Sequence, residues 1–173
     1  MAELKRIAIS AVPVALEKAL RYRLLNEPLE AESICRDVLA VDPGNESALV
    51  TMLLALTDRF EQDFVASLDR AKELLPQLAS EYDRAYYEGI IYERWAKAQL
   101  ARGMPAEFAA DWFRQAMRCF EAAEALAKPD EPDAVLRFNT CARLLERQSE
   151  GSVRAESLTH DTASTFGDDV PLR

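Results

Sequence analysis

Seven prolines, Pro13, Pro28, Pro43, Pro76, Pro105, Pro129 and Pro132, divide the first 150 residues into segments of helix length. Proline has no backbone N–H and clashes with the preceding turn, so it sits in a first helical turn or just past a helix end. The segments predict helices near 12–26, 28–41, 45–59, 61–75, 80–102, 105–127 and 132–149. Between the prolines the chain is rich in helix formers, with 28 Ala and 22 Leu against 9 Val and 5 Ile. That contrast predicts an all-α chain. Asp42-Pro43-Gly44-Asn45 reads as a turn, with Asn45 as the N-cap of the next helix. Ser80 to Asp83 resembles a capping box, and Gly103 is placed to stop the fifth helix before Pro105 opens the sixth. Linkers this short make successive helices pack antiparallel.

Three regions follow. Residues 1–11 form an N-terminal arm or short helix, since Leu4, Ile7, Ala8 and Ala11 suit a helical face while Ile7 and Ile9 alternate. Residues 12–150 are the helical domain. From Gly151 to Arg173 the chain is polar with isolated apolar residues, which predicts a disordered tail that holds the only histidine, His160. The last helix of the domain carries an apolar stripe at Ala134, Phe138, Cys141 and Leu145 and a polar back, as suits the end of a stack.

Several function classes are disfavoured by totals alone. The longest nearly apolar run, Ala48 to Leu56, falls short of the roughly 20 residues a bilayer span needs. No membrane insertion is expected, and the first residues suggest no signal peptide. Thirty acids against 21 bases give a net charge of −9, so nucleic acid is not an expected partner. Cys35, Cys119 and Cys141 are an odd, scattered set inside apolar helical patterns, which suits buried thiols in a reducing, cytoplasmic setting.

The helices also repeat. At a shift of 33 residues Ala15, Leu16 and Leu20 recur as Ala48, Leu49 and Leu53, and Pro43 recurs as Pro76. Ala19, Tyr22, Ala31, Cys35, Val38 and Pro43 mark one unit, and Met52, Ala55, Phe64, Leu68, Ala71 and Pro76 the second. The third opens with Gly89 and Tyr92 and continues with Ala116, Phe120 and Ala123. A small residue lets a partner helix approach closely, and a large one a turn later fills the groove. A pair built this way keeps one apolar face, so it must stack on the next.

This spacing resembles the tetratricopeptide repeat family over residues 12–150, as three units and a terminal helix. The resemblance implies antiparallel helix pairs stacked as a short right-handed α-solenoid. The third unit departs from it: Tyr92 and Ala116 are 24 residues apart, against nine between Tyr22 and Ala31, so the third pair is elongated.

No catalytic constellation accompanies the repeat. Without a histidine in the body, neither a zinc nor a di-iron helix motif can form, and Cys119 and Cys141 lack a base. Acyl-transfer, phosphate-loop and dinucleotide signatures are absent. Glu88, Glu93, Glu107 and Asp111 read as solvated or salt-bridged faces. No enzyme activity, cofactor or metal is expected.

The resemblance implies that the first helix of each pair lines a concave groove. By register this face is Leu16, Leu20, Arg23 and Leu24, then Leu49, Leu53 and Leu56, then Tyr86, Ile90, Glu93 and Arg94. The basic set that grips a C-terminal carboxylate in heat-shock-chaperone adaptors is replaced by Leu16, Leu20, Val50 and Tyr87. The groove is therefore apolar, either filled by the arm through Ile7, Ile9 and Val12 or open to a partner's hydrophobic segment. A second patch is Trp95, Trp112 and Phe113 on the long third pair, as core or as a surface for a homodimer or a partner enzyme. The expected function is a non-catalytic adaptor that binds a partner protein or peptide. The alternatives are a small acidic chaperone, similar in size and charge to those of type III secretion translocators, and a structural subunit that forms oligomers.

Overall fold

A computed structural model describes residues 3–163, with side chains for all of these but 64, 65 and 150–163. Seven helices and no strand occur among the described residues: α1 (Val12–Leu24), α2 (Pro28–Leu39), α3 (Glu46–Thr57), α4 (Phe64–Leu74), α5 (Glu81–Ala101), α6 (Ala106–Glu124) and α7 (Asp133–Ala163). The chain is all-α, and none of its described helices is long and apolar enough to cross a membrane.

Local chemistry accounts for most boundaries. Pro28 occupies the first position of α2, where a missing N–H costs nothing. Asn45 Oδ1 accepts from Ala48 N at 2.9 Å and caps α3. Ser80 Oγ accepts from Asp83 N at 3.2 Å and caps α5. Gly103 has φ +79° and ends that helix in the left-handed conformation glycine tolerates. Asn26 takes the same role between α1 and α2 with φ 60°.

Two boundaries differ from the expectation. The fourth helix begins at Phe64 and not near 61, because Gln62 N and Asp63 N both donate to Arg59 O, at 3.0 and 2.9 Å, in a separate turn. The last helix passes the boundary drawn at 150 and runs to Ala163. Polar composition predicted disorder from Gly151, but no proline follows Pro132 before Ala163, and one glycine costs a helix only about 1 kcal/mol. Residues 164–173 of the expected tail, and the His160 side chain, lie outside what is described. Residues 3–8 have no regular structure, and Ile9–Ala11 form one 3₁₀ turn before α1.

Each helix packs on its successor in the chain, and in addition α1 packs on α3 and α3 on α5. Three groups of buried side chains join them. Leu49, Leu53, Leu56 and Phe60 meet Ala71 and Leu74 of α4 and Ile91 and Trp95 of α5. Ile90, Tyr92 and Ala96 of α5 meet Phe113, Ala116 and Phe120 of α6 and Cys141 of α7. Val12, Val38 and Ala48 tie together α1, α2 and α3. Full burial of one such large side chain is worth about 1.5–3 kcal/mol. The small residues Ala19, Ala31, Ala116 and Ala123 have no exposed surface, as expected at helix seams.

Candidate functional site

The expected groove residues divide into two groups. Leu49, Leu53, Leu56 and Ile90 are at most 2% exposed and belong to the core, so they cannot line an open groove. The correction has a geometric cause. Successive helical residues are about 100° apart, so an alignment slipped by one position moves the expected face about 100° around the helix. In the apolar stretch of α3 the partly accessible side chains are Val50, Met52 and Leu54, and Val50 and Leu54 each lie one position beyond the expected Leu49 and Leu53. On α1, Leu16 is half-buried, Leu20 is 46% exposed and Leu24 is exposed.

Arg23, Arg94 and the unanticipated Asp58 form one cluster. Arg23 Nε, near the end of α1, donates to Asp58 Oδ2 at 2.6 Å. Arg94 of α5 pairs with Asp58 Oδ1 through Nη1, which also donates to Thr57 Oγ1 at 2.8 Å. Asp58 lies just beyond the end of α3, so one carboxylate ties three helices together. All three side chains are partly exposed. Thr57, Phe60, Lys97 and Ala98 line a depression of about 210 Å³ beside Asp58 and Arg94.

Tyr86 is half-buried. It stacks on Tyr82 at 5.8 Å between ring centres, meets Tyr87 edge-on at 5.2 Å and leans on Phe120. Burial, with Asp83 nearby, pushes the Tyr87 hydroxyl up to about 12, so it stays neutral and can donate. Glu93, expected on the inner face, is fully buried. Its Oε1 accepts from Lys97 and, at 3.4 Å, from Arg137 Nη1 of α7. The arm's Ile7 packs against the Val12–Val38–Ala48 group, while Leu4 and Ile9 are exposed.

The second expected patch is core. Trp95 and Phe113 are buried and Trp112 is half-buried between them and solvent. Trp95 meets Phe60 edge-on at 5.4 Å and Trp112 at 6.2 Å, and Tyr92 lies 5.6 Å from Trp112. Two long helices have more area to join than short ones, and these aromatics fill it.

The cysteines are poor nucleophiles in this setting. Burial pushes the thiols of Cys35, Cys119 and Cys141 up to about 12, with Glu32, Glu88 and Glu93 respectively adding to the shift. The thiolate is the reactive species. Native protein should therefore react with a thiol reagent far more slowly than protein in urea. Fast labelling of all three without denaturant would contradict this burial.

Asp58 gives one oxygen to each arginine, Oδ2 to Arg23 and Oδ1 to Arg94. Besides these two held guanidinium groups, α1 and α3 leave Leu16, Leu20, Val50 and Leu54 partly accessible. Spacing along α1 made Leu16, Leu20 and Arg23 readable. Asp58 carried a weaker signal, as the first acid after a long apolar helix. No protein-family model, curated protein or solved structure matches the chain.

Proposed function

We propose that the chain is a non-catalytic protein–protein interaction module that holds a segment of a partner protein on the face shared by α1, α3 and α5. In this reading it is a short tetratricopeptide-like stack of helix pairs with an elongated third pair. The observation that carries the reading is Asp58, reached by Arg23 from one side and Arg94 from the other. That contact joins α1, α3 and α5, in this reading the first helices of the three pairs, and Leu20, one turn before Arg23, is open to solvent.

Further contacts support the arrangement. Val12 and Ala48 share one buried group near the starts of α1 and α3, and Arg23 meets Asp58 near their ends. Ala79 N donates to Glu46 Oε1 at 3.2 Å, which pairs the starts of α3 and α5. First helices running in one direction side by side suit a stack of hairpins. Within the third pair, Tyr86 lies against Phe120 and Trp95 against Trp112, as an antiparallel hairpin requires. The free thiols among the described cysteines suit a reducing compartment such as the cytoplasm.

The partner supplies apolar side chains to Leu16, Leu20, Val50 and Leu54 and polar groups to the Arg23–Arg94 edge. Leu20→Asp tests the face, since that side chain makes little of the core. One anchored side chain is worth about 1.5–3 kcal/mol, so a partner identified with the wild-type chain should bind the variant at least tenfold more weakly. Phe108→Asp, at an exposed site on α6, should leave binding unchanged. Equal affinity for Leu20→Asp and wild type rules out this face. Leu53→Asp is unsuitable, because a charge at that buried site unfolds the core.

A further inference from the structure

A different part of the molecule collects positive charge. Glu32 of α2 is only 4% exposed, yet its carboxylate serves three arginines. Arg36 Nη2 donates to Oε1 at 2.5 Å, Arg70 of α4 pairs with the same oxygen through Nη2, and Arg59 Nη1 donates to Oε2 at 2.9 Å. Arg59 Nη2 also donates to Asp63 Oδ2 at 2.9 Å. Three guanidinium groups thus face two carboxylates, and the network keeps one positive charge in a chain whose net charge is −9.

These arginines surround a depression of about 320 Å³ that Leu29 and Ser33 also line. Arg36 and Arg70 each commit a single nitrogen, Nη2, to Glu32, so Nε and Nη1 of both remain available. Glu32 also lines the depression, with both of its oxygens engaged by the arginines. It holds the guanidinium groups in place at no further ordering cost to a ligand.

We propose that this depression is a binding subsite for a phosphoryl group. Guanidinium forks match the oxygens of phosphate, and a fixed pair loses little freedom on binding. A phosphoryl group brings three terminal oxygens and close to two negative charges near neutral pH, against two oxygens and one charge for a carboxylate, so it engages the four uncommitted nitrogens more fully. Ser33 adds a hydroxyl at the rim. Glu32 is a positioning residue, and Arg36 and Arg70 make the contact. The subsite lies on α2, α4 and the turn before α4, and it does not depend on the reading of the α1–α3–α5 face.

The group could arrive as free phosphate or on a phosphorylated side chain, and two probes separate these sources. The full chain, isotope-labelled, is titrated at low ionic strength with inorganic phosphate and with N-acetyl-O-phosphoserine amide while backbone amide shifts are followed. Saturable shifts centred on Ser33, Arg36 and Arg70 are expected. Saturation by phosphate alone assigns a free anion, and saturation by the capped phosphoserine assigns a side-chain group. Arg36→Ala removes a side chain that is 58% exposed and should weaken binding at least about tenfold. Ser33→Asp, which places a carboxylate in the depression, should abolish it. Arg114→Ala, at an equally exposed arginine paired with Asp111, should change nothing. Absence of saturation with both probes, or unaltered affinity in Arg36→Ala, overturns the proposal.

Discussion

Glu32→Ala should lower the unfolding free energy by about 3–5 kcal/mol, a large part of the 5–15 kcal/mol that holds a typical domain. The reason is the imbalance it leaves. Arg36, Arg59 and Arg70 converge on one buried carboxylate, and without it three like charges face one another with only Asp63, beside Arg59, to offset them. A solvent-exposed pair such as Arg114–Asp111 contributes at most about 1 kcal/mol, because water and salt screen it. Urea unfolding of the two proteins near neutral pH measures the difference. A loss below about 1 kcal/mol would place Glu32 among ordinary surface pairs.

The same carboxylate gives the fold an acid limit. Burial opposes its ionisation, but the Arg70 hydrogen bond and the charges of Arg70, Arg36 and Arg59 outweigh burial and hold its pKa below the usual carboxylate range. A depressed folded pKa means that protons bind the unfolded chain more readily. The stabilisation is therefore complete above the ordinary carboxylate value and is lost as pH falls through the folded one. Wild-type stability should drop over that acid interval, and the drop should be smaller in Glu32→Ala.

Phe120→Ala should cost about 3–5 kcal/mol, and it should also reverse the effect of Gly89→Ala. Phe120 has no exposed surface and lies directly over Gly89. A Cβ at position 89 would come within 2.5 Å of Phe120 Cε1 and 2.7 Å of Cδ1. The ring cannot retreat easily, since Tyr86 packs on it at 5.8 Å. Alanine is better than glycine inside a helix by about 1 kcal/mol, but overpacking a filled core typically costs 1–3 kcal/mol. Gly89→Ala should therefore destabilise the wild-type chain. With Phe120 truncated the obstruction is gone, and the helical gain should remain. A double-mutant cycle of thermal or chemical unfolding reads the coupling directly. Stabilisation by Gly89→Ala in the wild-type background would contradict the close approach of α5 and α6.

Most of the fold was readable residue by residue. Pro28, Asn45, Ser80 and Gly103 act on their immediate neighbours, and the helix ends they predict lie close to the observed ones. The small residues Ala19 and Gly89 also marked where helices approach. The candidate site was only half legible. Leu16, Leu20 and Arg23 share a face of α1 that has charged residues opposite, so its direction follows from pattern. From Ala48 to Leu56 every residue but Thr51 is apolar, and such a helix has no polar side to show which way it turns. The choice of Leu49, Leu53 and Leu56 over Val50 and Leu54 had nothing local to correct it.

Helix number, order and approximate length were thus set by interactions within a few residues, which the order of amino acids carries directly. The rotation of α3, the burial of Trp95 and Phe113, and the meeting of Asp58 with Arg23 and Arg94 depended on packing between distant segments. So did the gathering of Glu32 with Arg59 and Arg70. A charge finds its partner, and an apolar helix its inner side, only when the neighbouring helices exclude water from one side and leave it on the other.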